Sequence, residues 1–142
     1  METVVLGAGC FWCIQSVVDK WQGIISSIVG YSGGHIINPT YGNLCLGNSG
    51  HTEVIEINFN PKIISLKEVI EKFFEIHDYT KEEIEQYKSI IFYNDLEQKN
   101  IIEEAISELN SSNIKTEIRK SAIFYKAEEE HQKYAEKKYG SK

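Results

Sequence analysis

No apolar run in this 142-residue chain approaches the ~20 residues that span a bilayer, and no basic segment leading into an apolar core opens it. Neither a membrane span nor a secretory leader is expected, and the cytoplasm is the expected location. Basic charge is also short. The 15 Lys and Arg are scattered among 21 Asp and Glu, leaving a formal charge of −6. Nucleic acid and anionic membrane are disfavoured as partners, because either needs a basic patch. Cysteine is scarce and odd in number: three thiols in a reducing compartment point to reactivity or metal binding rather than stapling. Structural zinc needs four ligands, and Cys45 with the isolated His35, His51, His77 and His131 supplies no second pair at ligand spacing. No metal and no organic cofactor is expected. No repeat or low-complexity linker divides the chain, so residues 1–142 are expected to form one domain with one core, by default a monomer.

What the chain does have is a pair of thiols around two aromatic rings, Gly9-Cys10-Phe11-Trp12-Cys13, after the apolar run Val4-Val5-Leu6. Residues 3–8 read as a buried strand. Phe11, Ile14, Val18 and Trp21 recur at helical spacing, predicting a helix over 11–22 stopped by Gly23. Cys10 thus falls where a strand hands over to a helix, and unpaired N–H groups of a first helical turn favour thiolate over thiol. A second strand over 24–31 closes a β-α-β unit. A long loop with Gly33-Gly34, Asn38-Pro39 and Gly42 follows, and loops of that length are usually functional when they carry aromatics such as Tyr41.

Farther on, His51–Phe59 alternates as a strand, and Ser65 with Glu68 forms a capping box for a helix that buries Leu66, Val69, Ile70, Phe73 and Phe74. Ser89–Tyr93 reads as a strand and Asp95 starts a helix carrying Ile102, Ala105, Ile106 and Leu109. Thr116–Phe124 is expected to be extended, Glu128–Tyr139 helical, and the last few residues frayed. This order predicts an α/β (α+β) fold: a single-domain two-layer sandwich, a mixed β-sheet with a ferredoxin-like β-α-β core flanked by helices.

Cys-x-x-Cys at a helix start fits a dithiol oxidoreductase, although Phe11 and Trp12 between the thiols depart from the thioredoxin pattern of small or Pro residues. Glu53 shares a strand face with Ile55, Ile57 and Phe59. A carboxyl at the mouth of an apolar face keeps its proton to higher pH and can act as an acid, unless it curls out to water as strand-end Glu residues do. His77-Asp78 at a helix end reads most simply as a favourable contact with the helix dipole.

Several segments resemble the class A peptide-methionine sulfoxide reductases over nearly the whole length. They are Gly9-Cys10-Phe11-Trp12, Gly30-Tyr31-Ser32-Gly33-Gly34, Asn38-Pro39-Thr40-Tyr41 and Gly50-His51-Thr52-Glu53-Val54, followed by Asn60-Pro61, His77-Asp78, Gln86-Tyr87-Lys88-Ser89 and Glu130-His131-Gln132-Lys133-Tyr134. The resemblance implies an enzyme that reduces the S epimer of methionine sulfoxide, free or in proteins. It implies Cys10 as nucleophile, Glu53 as the acid at the sulfoxide oxygen, and Tyr41 and Tyr87 as hydrogen-bond donors to that oxygen. Phe11 and Trp12 then line the pocket for the S-methyl group. The sulfenic acid left on Cys10 is resolved by a second thiol, and thioredoxin is the implied reductant. Cys13 is favoured as the resolving thiol over Cys45, the family's frequent C-terminal Cys having no counterpart near Gly140-Ser141-Lys142. Two departures stand out. The family's Gly-rich loop with an Asp is replaced by the shorter Tyr79–Glu85 stretch, where Glu82, Glu83 or Glu85 could substitute, and Lys88 replaces the usual Arg. The alternative reading is a general thiol-disulfide oxidoreductase, which has no use for Glu53.

Overall fold

The computed structural model describes residues 1–139. The expectation that the last few residues fray falls on 140–142, outside that range. Six strands form one sheet in the order β5-β4-β1-β3-β2-β6. The strands are β1 (Glu2–Ala8), β2 (Ile24–Ser32), β3 (Thr52–Phe59), β4 (Ser89–Tyr93), β5 (Glu117–Lys120) and β6 (Tyr125–Lys126). β3 lies antiparallel between β1 and β2, so the β-α-β unit is split rather than adjacent. With β4 antiparallel on the other side of β1, the central order 4-1-3-2 is the ferredoxin-like arrangement expected. β5 adds in parallel beside β4, which makes the sheet mixed.

Helices cover one face. They are α1 (Phe11–Val18), α2 (Tyr41–Cys45), α3 (Leu66–Glu75), α4 (Leu96–Ser107) and α5 (Tyr134–Tyr139). The main core lies between this layer and the sheet face carrying Leu6, Ile55, Ile57 and Phe59. A smaller cluster of Val5, Val54, Ile90 and Phe92 forms on the opposite face under Phe124. Among the described residues no helix is long and apolar enough to cross a membrane.

Local chemistry explains the boundaries. Ser65 and Glu68 make the reciprocal capping box at the start of α3, and Asp95 caps α4 through the Gln98 N–H at 2.8 Å. α1 ends at Val18, about a turn earlier than its apolar spacing predicts. The chain then turns through residues 19–22 to Gly23, whose φ of +102° only glycine adopts without strain. Within the long loop the sequence reading placed no helix, yet α2 forms there. Thr40 caps it, accepting from the Asn43 N–H at 3.2 Å while Asn43 accepts from the Thr40 N–H at 2.8 Å. His51 pins this loop. Its Nδ1 accepts from the Gly34 N–H at 3.0 Å, which leaves Nε2 to donate to the Ile36 carbonyl at 2.7 Å. Gly34 is required because a Cβ there would sit 2.3 Å from the backbone nitrogen of His51.

The C-terminal segment differs most from expectation. Only Glu117–Lys120 of the extended stretch is strand, and Tyr125–Lys126 pairs with β2. The single helix expected over 128–139 is broken into a 3₁₀ turn at Glu129–His131 and α5, with Lys133 at φ +55° between them. The cause is Gln132. Its Oε1 accepts from the Val29 N–H at 3.0 Å and its Nε2 donates to the Val29 carbonyl at 2.8 Å, so one side chain imitates a strand partner for β2. The backbone N–H of Lys133 is meanwhile held by Gln15 Oε1 at 2.7 Å. Both tethers outweigh the continuation of a helix. Replacing Gln132 by Leu removes donor and acceptor from a buried backbone pair and should destabilise the fold by about 1–3 kcal/mol, read from the urea midpoint.

Candidate active site

Cys10 is the N-cap residue of α1, reached from β1 through Gly9 at φ +94°. Its sulfur is half-buried and faces the N–H groups of Trp12 and Cys13, neither aligned well enough to cap the helix. The expected gain in acidity is reversed on balance. Burial pushes the thiol up, and negative charge at Cys13 or Glu53 adds to the rise, outweighing the two N–H groups.

Glu53 comes from β3, opposite Tyr31 on β2, and is 1% exposed. It does not curl out to water. Its Oε1 accepts from the Phe11 N–H at 3.2 Å and its Oε2 from the Gln86 amide at 2.7 Å. Burial holds its proton to higher pH than an ordinary glutamate, though both hydrogen bonds work against this. Glu53 therefore sits on the first N–H of the helix whose cap is Cys10. Two negative charges so close disfavour each other, and the pair holds one charge and one proton more readily than two charges.

Tyr41 opens α2 and its hydroxyl faces both Tyr87 and Cys45, while Tyr87 ends a 3₁₀ turn over Glu85–Tyr87. Burial, then the Glu53 charge, raises both phenols, so each stays protonated as a donor. Cys45 ends α2 with its sulfur 3.8 Å from Gln86 Nε2. The structure thus brings Cys10, Glu53, Tyr41, Tyr87 and Cys45 together. Cys13 is exposed on the first turn of α1, beside Cys10.

An aromatic wall adjoins them. Phe11 is buried in the core and packs on Tyr31 at 5.9 Å and Tyr41 at 6.4 Å. Trp12 is half-buried, stacked face to face on Tyr134 at 3.9 Å, and its indole N–H donates to His131 Nδ1 at 3.1 Å. His131 in turn packs on Tyr41 at 4.4 Å. Glu128 fixes the other edge, accepting from the Tyr31 hydroxyl at 2.7 Å and the Tyr41 N–H at 3.0 Å. Burial works to raise the Glu128 carboxyl, but those two bonds prevail and hold it below the usual range.

Gln86, Glu128 and His131 carried no role in the sequence reading. Each sits in a turn or irregular stretch where periodicity is silent. The three carboxylates considered as replacements for the family's Asp all engage lysines instead: Glu82 with Lys115 at 3.6 Å, Glu83 with Lys81 at 3.4 Å, Glu85 with Lys88 at 2.8 Å. Lys88 is buried and also pairs with Glu117 at 3.0 Å. His77 closes the end of α3, as its position suggested, donating from Nδ1 to the Phe73 carbonyl at 2.8 Å and accepting from the Ser89 hydroxyl at 2.8 Å. Among the described residues no cluster of three or more His, Cys, Asp or Glu could hold a metal ion.

The family model for peptide methionine sulfoxide reductase matches residues 2–142. Peptide methionine sulfoxide reductase MsrA of Saccharolobus solfataricus is 43% identical, covering 96% of this chain and 82% of its own. Among solved structures, reduced Mxr1 from Saccharomyces cerevisiae superposes with a TM-score of 0.86 at 30% identity, over 99% of this chain and 87% of that one. Mxr1 in complex with Trx2 matches with a TM-score of 0.64 at 28% identity, over 94% and 84% of the two chains.

The burial of Glu53 has a measurable consequence. In Cys10→Ser protein its carboxyl, followed by ¹³C NMR, should titrate above 4.5. The native state then binds this proton more tightly than the unfolded chain does. The associated stability is complete below the unfolded value and is lost as pH rises through the folded one. Stability of the native protein relative to Glu53→Gln should therefore fall as pH climbs through that window and level off above it, checked by urea unfolding at several pH values.

Proposed function

The chain belongs to the peptide methionine sulfoxide reductase family, and we propose that residues 1–142 form one reductase domain in which Cys10, Glu53, Tyr41 and Tyr87 reduce methionine S-sulfoxide, free or in proteins. The observation that carries this assignment is the buried Glu53 carboxyl lying on the first N–H of the helix that Cys10 caps. A sulfoxide oxygen leaves poorly, so attack at its sulfur needs a thiolate and an acid at once. Cys10 and Glu53 together hold the single proton and single charge that this step uses.

The S-methyl group packs beside Phe11 and Trp12. The Cys10 thiolate attacks the sulfoxide sulfur while Glu53 gives its proton to the oxygen, with the Tyr41 and Tyr87 hydroxyls donating hydrogen bonds. The oxygen passes to Cys10, so one thiol and one sulfoxide become one sulfenic acid and one thioether. The Cys13 thiol then condenses with the sulfenic acid, forming a disulfide and releasing water. Cys13 is preferred over Cys45 because its charge acts directly on Cys10 from the same helical turn, whereas the Cys45 sulfur faces Gln86 and Tyr41. The dithiol of thioredoxin reduces the disulfide, in keeping with the yeast Mxr1–Trx2 complex. The outcome is repair of oxidised methionine. A cytoplasmic site of action suits three free thiols and an acidic sequence.

Dithiothreitol-driven reduction of the separate R and S sulfoxides of a blocked methionine tests the whole reading. Activity should be confined to S, vanish in Cys10→Ser, and fall by about 10²- to 10⁴-fold in Glu53→Gln. Equal turnover of insulin disulfides by wild type and Glu53→Gln, without sulfoxide reduction, would establish a general dithiol oxidoreductase instead. Cys13→Ser should keep one turnover per chain yet lose thioredoxin-driven recycling. An intramolecular disulfide in that variant, with normal recycling, transfers the resolving role to Cys45.

A further inference from the structure

Gln86 is one residue before Tyr87, 6% exposed, in a turn whose Glu85 carbonyl accepts from the Thr52 hydroxyl at 2.8 Å. That bond ties the turn to the strand position next to Glu53. Both known contacts of the Gln86 amide require a donor: Glu53 Oε2 at 2.7 Å and the Cys45 sulfur at 3.8 Å. The nitrogen therefore faces the site and its two hydrogens are committed.

We infer that Gln86 is a positioning residue for the reduction, its amide fixing the Glu53 carboxyl so that the transferable proton resides on Oε1. The inference rests on the role of Glu53 as proton donor. A protonated carboxyl has one carbonyl-type oxygen, which accepts well, and one hydroxyl oxygen, which accepts poorly. The short bond from Gln86 claims Oε2 as the carbonyl-type oxygen. The longer 3.2 Å contact from the Phe11 N–H is the one that yields, so the proton sits on Oε1. Oε1 is the edge turned to the start of α1, where Cys10 waits. Without the amide the Phe11 N–H is the donor that remains, so Oε1 becomes the accepting oxygen and the proton passes to Oε2, away from the nucleophile.

The titratable groups facing Glu53 are Cys10 from α1, Tyr31 from β2, Tyr41 from α2 and Tyr87 from the 3₁₀ turn, each of which feels its charge. Against that uniformly acidic surround, the amide and the Phe11 N–H are the groups that ease ionisation of Glu53. Removing the amide leaves burial less opposed, so the donor keeps its proton to higher pH.

The test is Gln86→Met, similar in length and without N–H groups, assayed in single-turnover reduction of the S sulfoxide across pH. The first step should slow between about 10- and 100-fold at neutral pH, with KM little changed. The falling limb that reports Glu53 should move up by about one to two pH units. An unchanged rate and limb, or a slower rate with the limb unmoved, overturns the inference. Should Gln86→Met fail to fold, the side-chain ¹⁵N resonance of Gln86 in the native protein serves in its place. It should shift with the midpoint of the Glu53 carboxyl, and a resonance indifferent to that titration is equally fatal. If Glu53→Gln itself retains the full first-step rate, the role of Glu53 has failed rather than that of Gln86.

Discussion

The bond from the Phe11 N–H to the Glu53 carboxyl joins residues 42 apart in sequence, and much of the fold serves to make it. Glu53 can reach the start of α1 because β3 is inserted between β1 and β2, the antiparallel arrangement that brings the end of β1 and the beginning of β3 side by side at one end of the central strands. The loop that precedes Glu53 is immobilised by His51 and by the close approach of Gly34. From the other direction, the turn carrying Gln86 is fastened to Thr52. A buried carboxyl with no cation in its hydrogen-bond set is costly to keep ionised, which is why Glu53 holds its proton to higher pH than an exposed glutamate does.

Charge is rationed around that carboxyl. Three phenols and the Cys10 thiol surround it, each raised by burial first and by the Glu53 charge among the lesser causes. The thiol and the phenols are thereby held toward their neutral forms around it. Glu128, one layer farther out, behaves in the opposite way because the Tyr31 hydroxyl and the Tyr41 N–H both point at it. The two carboxylates separate by environment alone, one inclined to hold a proton and one inclined to lose it.

The sheet core was legible because its signals are local. Val4 to Leu6, the alternation from Glu53 to Phe59, and the capping box at Ser65 each declare an element within a few residues, and all were placed correctly. The same alternation put Glu53 on the face of Ile55 and Ile57 but left open whether it turned inward or curled out to water. Its burial is settled by the bonds from Phe11 and Gln86, both distant in sequence. The misjudged parts depend on partners distant in sequence. α1 stops at Val18 because the chain must turn into β2, and the 128–139 stretch is interrupted because Gln132 answers Val29 across 103 residues. α2 was a different failure. Thr40 and Asn43 are a capping pair three residues apart, a local cue hidden inside a stretch dense with turn formers. Gln86 and His131 stand in the family-like segments, yet their contacts were illegible for a physical reason: an amide or imidazole in a turn has no periodicity to betray what it faces.

The stacking of Tyr134 on Trp12, with His131 taking the indole N–H, joins the last part of the described chain to its first helix. Translation delivers Cys10, Glu53 and most of the sheet well before residues 128–134 emerge to close that wall. A nascent polypeptide at that stage carries the Cys10 thiol beside an unfinished aromatic wall. The wall beside Cys10 is therefore completed late in synthesis, when the closing segment docks on Trp12.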